Sequence, residues 1–215
     1  MRTQPISLPV SRPELSIRSI MSTETTTQPL PLSPDTDLVS RLAGLSPGGN
    51  VAALRAARAD ATRYTQGSHD ALFSADIVDL SLNERLYAAW YAASLTQSVA
   101  AANAYRERLL ATDADSAENI TERLSAITLH GPAGIASLAS SSSAAGSARL
   151  AAILHHTRAL ITQPAATGKS ELAALLSAGL TTRAIVALAQ LVAFVSYQVR
   201  VVVALKALDN LEHTA

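Results

Sequence analysis

From residue 35 onward the chain is built mainly from alanine and leucine, and no strand-length run alternates apolar with polar residues. Ala and Leu are the strongest helix formers, whereas sheets favour β-branched and aromatic residues. Alanine occurs 42 times in 215 residues, first at Ala43, and aromatic residues make up only 4%. The expected class is therefore all-α: a bundle of about seven or eight helices. The pattern predicts helices near residues 36–44, 49–65, 68–74, 82–111, 116–128, 147–162, 169–178 and 182–209. Breaks are expected at Ser46-Pro47-Gly48-Gly49, at His130-Gly131-Pro132, through the Ser140–Ser143 run and at Gln163-Pro164.

Residues 1–34 differ in kind. They hold six of the nine prolines and no alanine, and Ser and Thr dominate the remainder. Such a segment buries too little apolar surface to offset its ordering entropy, so it reads as a disordered N-terminal tail. Proline and charge interrupt every apolar run in it, which argues against a secretory signal. Arg2, Arg12 and Arg18 among serines resemble a transit peptide, but Glu14 intrudes, and Met21 offers a second start. Residues 35–211 then form a single helical domain of ordinary size.

Several function classes are excluded. Seventeen basic residues balance seventeen acidic ones, so there is no general electrostatic footprint for nucleic acid. With no cysteine there is no disulfide, no thiolate metal site and no cysteine nucleophile. His155 and His156 are adjacent on a helix and point in different directions, and no HExxH spacing occurs, so neither a metal nor another cofactor is expected. Gly168-Lys169-Ser170 lacks the preceding glycine of a phosphate loop, since position 163 is Gln. No GxSxG turn supports a serine nucleophile.

Two helices carry most of the information. Ser81-Leu82-Asn83-Glu84 fits a capping box with Ser81 as N-cap. Behind it, Leu86, Ala89, Trp90 and Ala93 give an apolar face, and Tyr87, Tyr91, Ser94, Ser98 and Tyr105 a polar stripe. The expectation is a half-buried helix whose tyrosines bond through their hydroxyls. In the last helix, Ile185, Leu188, Val192, Val195, Val199 and Val202 step by three and four, and Leu191, Phe194, Val201, Leu205 and Leu208 form a second stripe. Gln190, Ser196, Gln198, Arg200 and Lys206 interrupt the apolar run. An arginine near a bilayer centre costs about 2.5–3.5 kcal/mol even on insertion scales, so a core or interface helix is expected and not a membrane span. Gln190, Ala193, Tyr197 and Arg200 make a narrow polar stripe within it. If Arg200 is buried it needs a carboxylate or a cluster of carbonyls, with Glu84 the first candidate partner.

Two stretches, LNERLYAAWYAASLTQSVAAANAYRERL at residues 82–109 and LAALLSAGLTTRAIVALAQLVAFVSYQVRVVVALKAL at 172–208, resemble the alkylhydroperoxidase/carboxymuconolactone decarboxylase superfamily. The second is similar to the C-terminal half of its peroxidase-related branch. Upstream, LVSRLAGLSPGGNVAALRAARADATRYTQGSHDALF resembles a bacterial subgroup, the CMD-domain proteins, so the likeness covers roughly residues 37–208. It implies an all-α fold and dimers, trimers or hexamers. Peroxidase members carry Glu, then CxxC, then His on the first of these helices. The Glu falls on Glu84, but the cysteine positions fall on Thr96 and Val99 and the His position on Asn103. Thr and Val cannot form a peroxide-attacking thiolate or cycle through a disulfide.

The expected function is therefore a cytoplasmic, redox-inactive member of the superfamily: an oligomeric scaffold or binding protein linked to peroxide detoxification, partnered by itself and by a cysteine-bearing paralogue. No nucleic acid and no membrane partner is expected. The alternative is a non-thiol enzyme of the decarboxylase type that moves a proton on a small carboxylate or lactone. Glu84, His155 or His156 would then be the acid–base candidates, with Tyr91, Thr96, Val99, Asn103, Tyr197 and Arg200 around one pocket and Arg200 holding the carboxylate. A third reading is a helical protein outside this superfamily with a projecting hydrophobic C-terminal helix.

Overall fold

The capping box closes as its residues suggest. Ser81 Oγ accepts from the Glu84 amide at 3.2 Å, and Glu84 Oε2 accepts from the Ser81 amide at 2.8 Å. The helix it starts is the centre of the molecule. The computed structural model describes residues 37–112, 116–140 and 144–214, all within one compact unit; the expected tail, residues 1–34, lies outside the described residues. In chain order the helices are α1 (Leu38–Ala43), α2 (Asn50–Ala56), α3 (Ala59–Leu72), α4 (Leu82–Leu95), α5 (Val99–Thr112), α6 (Ala117–His130), α7 (Pro132–Ala139), α8 (Ala144–Thr162), α9 (Lys169–Ser177) and α10 (Thr182–Thr214), with one 3-10 turn at Pro164–Ala166. No strand occurs among the described residues, so the chain is all-α, with ten α-helices there in place of seven or eight.

Every residue from Arg85 to Ala93 in α4 is buried. A helix enclosed on all sides has no solvent stripe to mark, so the expected half-buried helix is corrected to a central one. Helices α5, α8 and α10 pack around it. Ala88, Ala89, Ala92 and Ala93 have no exposed surface, and their small side chains let those neighbours approach. Three other expectations change. The helix expected over 82–111 is two, because the chain turns at Thr96–Ser98. The expected 49–65 helix breaks after Ala56, and its second half runs unbroken into the segment expected to start at 68. The break at His130-Gly131-Pro132 is present, but the segment after it, where no helix is expected, forms α7, with Pro132 at its first position, where its missing amide hydrogen and fixed φ are tolerated.

Two arginines anchor the N-terminal end of α4. Arg85, 2% exposed, faces no carboxylate. Its Nε donates to the Leu80 and Ser81 carbonyls at 3.0 and 3.3 Å, and its Nη1 to those of Leu72 and Ser74 at 2.7 and 2.9 Å. The guanidinium thus caps the C-terminal end of α3, where the helix dipole favours a cation. Arg149 of α8 donates to Glu84 Oε1 at 2.6 Å, to the Gly179 carbonyl at 2.6 Å and to the Asp79 carbonyl at 2.8 Å. Glu84 therefore pairs with Arg149, which corrects the expected Glu84–Arg200 pair.

Helix α10 buries its first apolar stripe: Leu188, Val192, Val195, Val199 and Val202 are at most 5% exposed. The second stripe is graded: Leu191 has no exposed surface, Phe194, Val201 and Leu205 are half-buried against the core, and Leu208 is 48% exposed. The polar stripe of Gln190, Ala193, Tyr197 and Arg200 is on the outer surface, so Arg200 is solvated and needs no buried partner. The enclosed polar side chain is Gln198 instead, with no exposed surface. The Thr182–Glu212 stretch is long and apolar enough to cross a membrane by length and composition, its most apolar 18-residue window having a mean hydropathy of 1.8. Here it lies against α1, α3, α4 and α8.

Two helical glycines give opposite predictions. A Cβ at Gly67 in α3 meets nothing within 4 Å, whereas one at Gly134 in α7 falls 2.3 Å from the Ala126 carbonyl oxygen of α6. Gly67→Ala should stabilise the protein in urea denaturation by about 0.5–1 kcal/mol through helix propensity. Gly134→Ala should destabilise it by about 1–3 kcal/mol, because backbone must move. The same sign for both would refute the α6–α7 crossing described here.

Candidate functional site

Three helices end in the same hydrogen-bonded turn. In α1 the amides of Gly44 and Leu45 return to the carbonyls of Arg41 and Ser40 at 3.0 and 3.1 Å, with Gly44 at φ +68°. In α9 those of Gly179 and Leu180 return to Leu176 and Leu175 at 2.9 and 3.1 Å, with Gly179 at φ +83°. In α4 those of Gln97 and Ser98 return to Ser94 and Ala93, both at 3.0 Å, but the left-handed residue is Gln97 at φ +58°. This is the Schellman arrangement, which glycine usually completes. Gln97 is the only non-glycine with positive φ among the described residues. Strain of this kind concentrates at sites where a backbone turn must be held regardless of cost.

The turn opens onto a cleft of about 760 Å³ between α4, α5 and α6, with α8 closing one side. Trp90 and Tyr91, stacked with centroids 6.0 Å apart, form its floor, and Leu124 and Ile127 a side wall. Its polar groups include Ser98, Asn103 and Ser125, and its charged groups are Arg106 and Arg158. No carboxylate lines it among the described residues.

The expected site residues do not converge within one chain. Tyr91, Val99 and Asn103 line this cleft. Thr96 and Arg200 lie instead on a groove of about 730 Å³ between α10 and the end of α8, and the Thr96 hydroxyl is bonded to the Ala92 and Ala93 carbonyls at 3.0 Å. Tyr197 sits in a shallow groove beside α3, its hydroxyl 3.3 Å from Thr65 Oγ1. His155 and His156 line an alanine-walled pocket of about 450 Å³ formed by α7, α8 and α9. Of that pair His155 is exposed, while His156 is 4% exposed with Nδ1 lacking a partner. Glu84 is held by its cap and by Arg149. The positions that the family resemblance equates with the two cysteines thus open to different grooves on either side of the α4–α5 turn.

A buried polar cluster was not anticipated. Tyr105 of α5 donates to Gln198 Oε1 of α10 at 2.7 Å, which fills the polar need expected of it, whereas the Tyr91 hydroxyl is buried with no partner among the described residues and the Tyr87 hydroxyl faces Arg123. The Tyr105 ring stacks on Phe73 at 5.5 Å, and Arg108 lies 4.8 Å over the same Phe73 ring. His69 stands 4.9 Å from Phe73 and within 3.0 Å of an Asp70 carboxylate oxygen. These residues are 129 positions apart at their extremes, from His69 to Gln198, and no local spacing links them. At the N-terminal edge Asp37 caps α1 and pairs with Arg55, whose Nη2 donates to Oδ1 at 2.9 Å. Burial alone would raise the Asp37 carboxyl, but hydrogen bonds from Arg55 and Ser40 and the Arg55 charge outweigh it and hold the carboxyl below its usual range.

Compared with protein-family models, with curated proteins and with solved structures, the chain matches none.

Replacing Gln97 by glycine should relieve the left-handed strain and raise stability by about 0.5–1 kcal/mol, read from the urea midpoint. A loss of stability would mean that the Gln97 side chain holds the turn. A second prediction concerns pH. Burial lowers the His69 and His156 pKa values; nearby arginines lower His69 further, with Asp70 opposing, and Glu171 opposes the shift at His156. The unfolded chain takes up these protons first, near pH 6.5, so the stabilisation is complete above that pH and is lost as pH falls below it. The urea midpoint should fall between pH 7.5 and 5.5, and His69→Gln with His156→Gln should flatten that fall.

Proposed function

We propose that this protein is a thiol-free relative of the alkylhydroperoxidase/carboxymuconolactone decarboxylase superfamily, an oligomeric binding protein or scaffold associated with peroxide detoxification, without peroxidase activity. The observation that carries the reading is the state of Glu84. The one matching residue of the peroxidase motif is locked by the Ser81 cap and the Arg149 ion pair at the N-terminal end of α4, and it does not line the cleft at the other end of that helix. The decarboxylase-type alternative needs a carboxylate, a histidine and Arg200 around one cavity. Within the chain His155 and His156 share a pocket with Glu171, but Arg200 lies on another groove and Glu84 is held by Arg149, so the binding reading is preferred. Its partners are further copies of itself and a cysteine-bearing paralogue, it needs no cofactor, and its place is the cytoplasm. There α10 serves as a core helix, with Gln190, Arg200 and Lys206 on the outer surface of the chain, where lipid would disfavour them.

The outer stripe of α10 supports self-association. Val186, Gln190, Ala193, Tyr197, Arg200, Ala204, Ala207 and Leu211 recur at alternate spacings of four and three, and all are exposed. Their order is a palindrome of spacings. In an antiparallel pair of α10 helices Val186 meets Leu211, Ala193 meets Ala204, and each Tyr197 ring meets the Arg200 guanidinium of the second copy, a cation–π pair. The two helix dipoles then oppose, and the two-fold symmetry makes the contact self-complementary. A single helix seam about 38 Å long is a modest interface, so one bulky charge should split it.

Two outcomes are expected. Purified protein turns over no organic hydroperoxide in a thiol-coupled assay; measurable turnover tied to this chain refutes the thiol-free reading. Light scattering reports a mass above one subunit of 22.4 kDa, and Ala204→Arg reduces it without unfolding the protein. A monomer in the unaltered protein refutes the oligomer.

A further inference from the structure

We propose that the cleft between α4, α5 and α6 binds an amphipathic organic acid, a carboxylate head on an extended apolar body. This rests on reading that cleft as the binding site of the protein.

The head group is inferred from two arginines. Arg106 of α5 and Arg158 of α8 both line the cleft and are half-buried. Neither guanidinium has an ion pair or hydrogen bond among the described residues. Arg55, Arg85 and Arg149, which also reach into the interior, each have partners: Asp37, four carbonyls, and Glu84 with two carbonyls. An enclosed guanidinium needs such partners, whereas a half-enclosed one without them keeps its donors open to water or to a ligand. Two without any, in a cleft with no carboxylate, are the arrangement that an incoming anion completes, and the planar fork of arginine fits a carboxylate in a bidentate way. The wall at Ser98 and Val99 is also the N-terminal end of α5, whose dipole places partial positive charge on the same side.

The body is inferred from the rest of the lining. Trp90 and Leu124 are apolar walls, and Val99 and Leu129 stand at the cleft 72% and 76% exposed. Large apolar side chains left this open at a concave site are covered when an apolar ligand enters. The volume, about 760 Å³, lies within the usual range for small-molecule sites.

The test is calorimetric titration of the full chain with three probes below their micellar range: sodium decanoate, 1-decanol and sodium acetate. Decanoate should bind at least tenfold more tightly than either of the others. The Arg106→Gln/Arg158→Gln double variant should lose about tenfold or more in decanoate affinity with its decanol binding and melting temperature unchanged, because the two groups make no bonds in the free protein. Decanol binding as tightly as decanoate, full decanoate affinity in the double variant, or no binding of decanoate would each overturn the inference. Peroxide turnover or a monomeric mass would overturn the scaffold reading without touching this one.

Discussion

Two guanidinium groups at one end of α4 hold the arrangement on which the remaining helices depend. The first turn of α4 reaches the surface, where the Ser81 cap meets its amide groups, and from Arg85 onward the helix is enclosed, so the carbonyls of the segments around its entry are met by protein. Arg85 meets the carbonyls that end α3, and Arg149 joins the Glu84 carboxylate to the loop before α4 and to the turn before α10. Arg149 and Glu84 are only about one-fifth exposed, at 21% and 16%, so removing either partner leaves a largely desolvated charge. The cap, the ion pair and the carbonyl contacts together set the angle at which α4 enters the bundle, and through it the position of the Thr96–Ser98 turn fourteen residues later.

That turn links the fold to the cleft. Helix α4 ends on a Schellman motif, and the left-handed residue is Gln97. The chain changes direction there, so α5 begins beside the floor made by Trp90 and Tyr91. Val99, Asn103 and Arg106 recur at helical spacing along the wall of α5 that lines the cleft. The same turn sends Thr96 to the opposite groove. A continuous helix over 82–111 would keep 96, 99 and 103 on one face, which is the arrangement the resemblance implies. The break separates them.

The charge distribution inside the bundle divides into two kinds. Where arginine meets carboxylate or carbonyl, as at Asp37–Arg55, Glu84–Arg149 and Arg85, every donor that matters locally has an acceptor and the role is to hold elements together. Where arginine has neither, at Arg106 and Arg158, the positive field is left for something outside the chain. The histidines fall between these kinds: His69 has Asp70 beside it, while His156 shares the α7–α8–α9 pocket with Glu171 but its Nδ1 has no partner among the described residues.

Much of the architecture could be read in the amino-acid order, because it depends on neighbours along the chain. The alanine and leucine content predicted an all-α class, Ser81 and Glu84 the start of α4, and valine spacing the buried stripe of α10. These are properties of hydrogen bonds and periodicity within a few residues. Three features depended on tertiary structure. Arg200 was assigned a buried partner because a polar residue in an apolar helix looks enclosed, yet only packing decides which of several stripes faces inward, and α10 turns Gln198 in and Arg200 out. The α4–α5 break was hidden because glycine, its usual marker, is replaced by Gln97. The convergence of His69, Phe73, Tyr105 and Gln198, and of Trp90, Arg106 and Arg158, joins residues far apart in sequence. Local order can specify which helices form, but which side chains meet between them is set by how those helices cross.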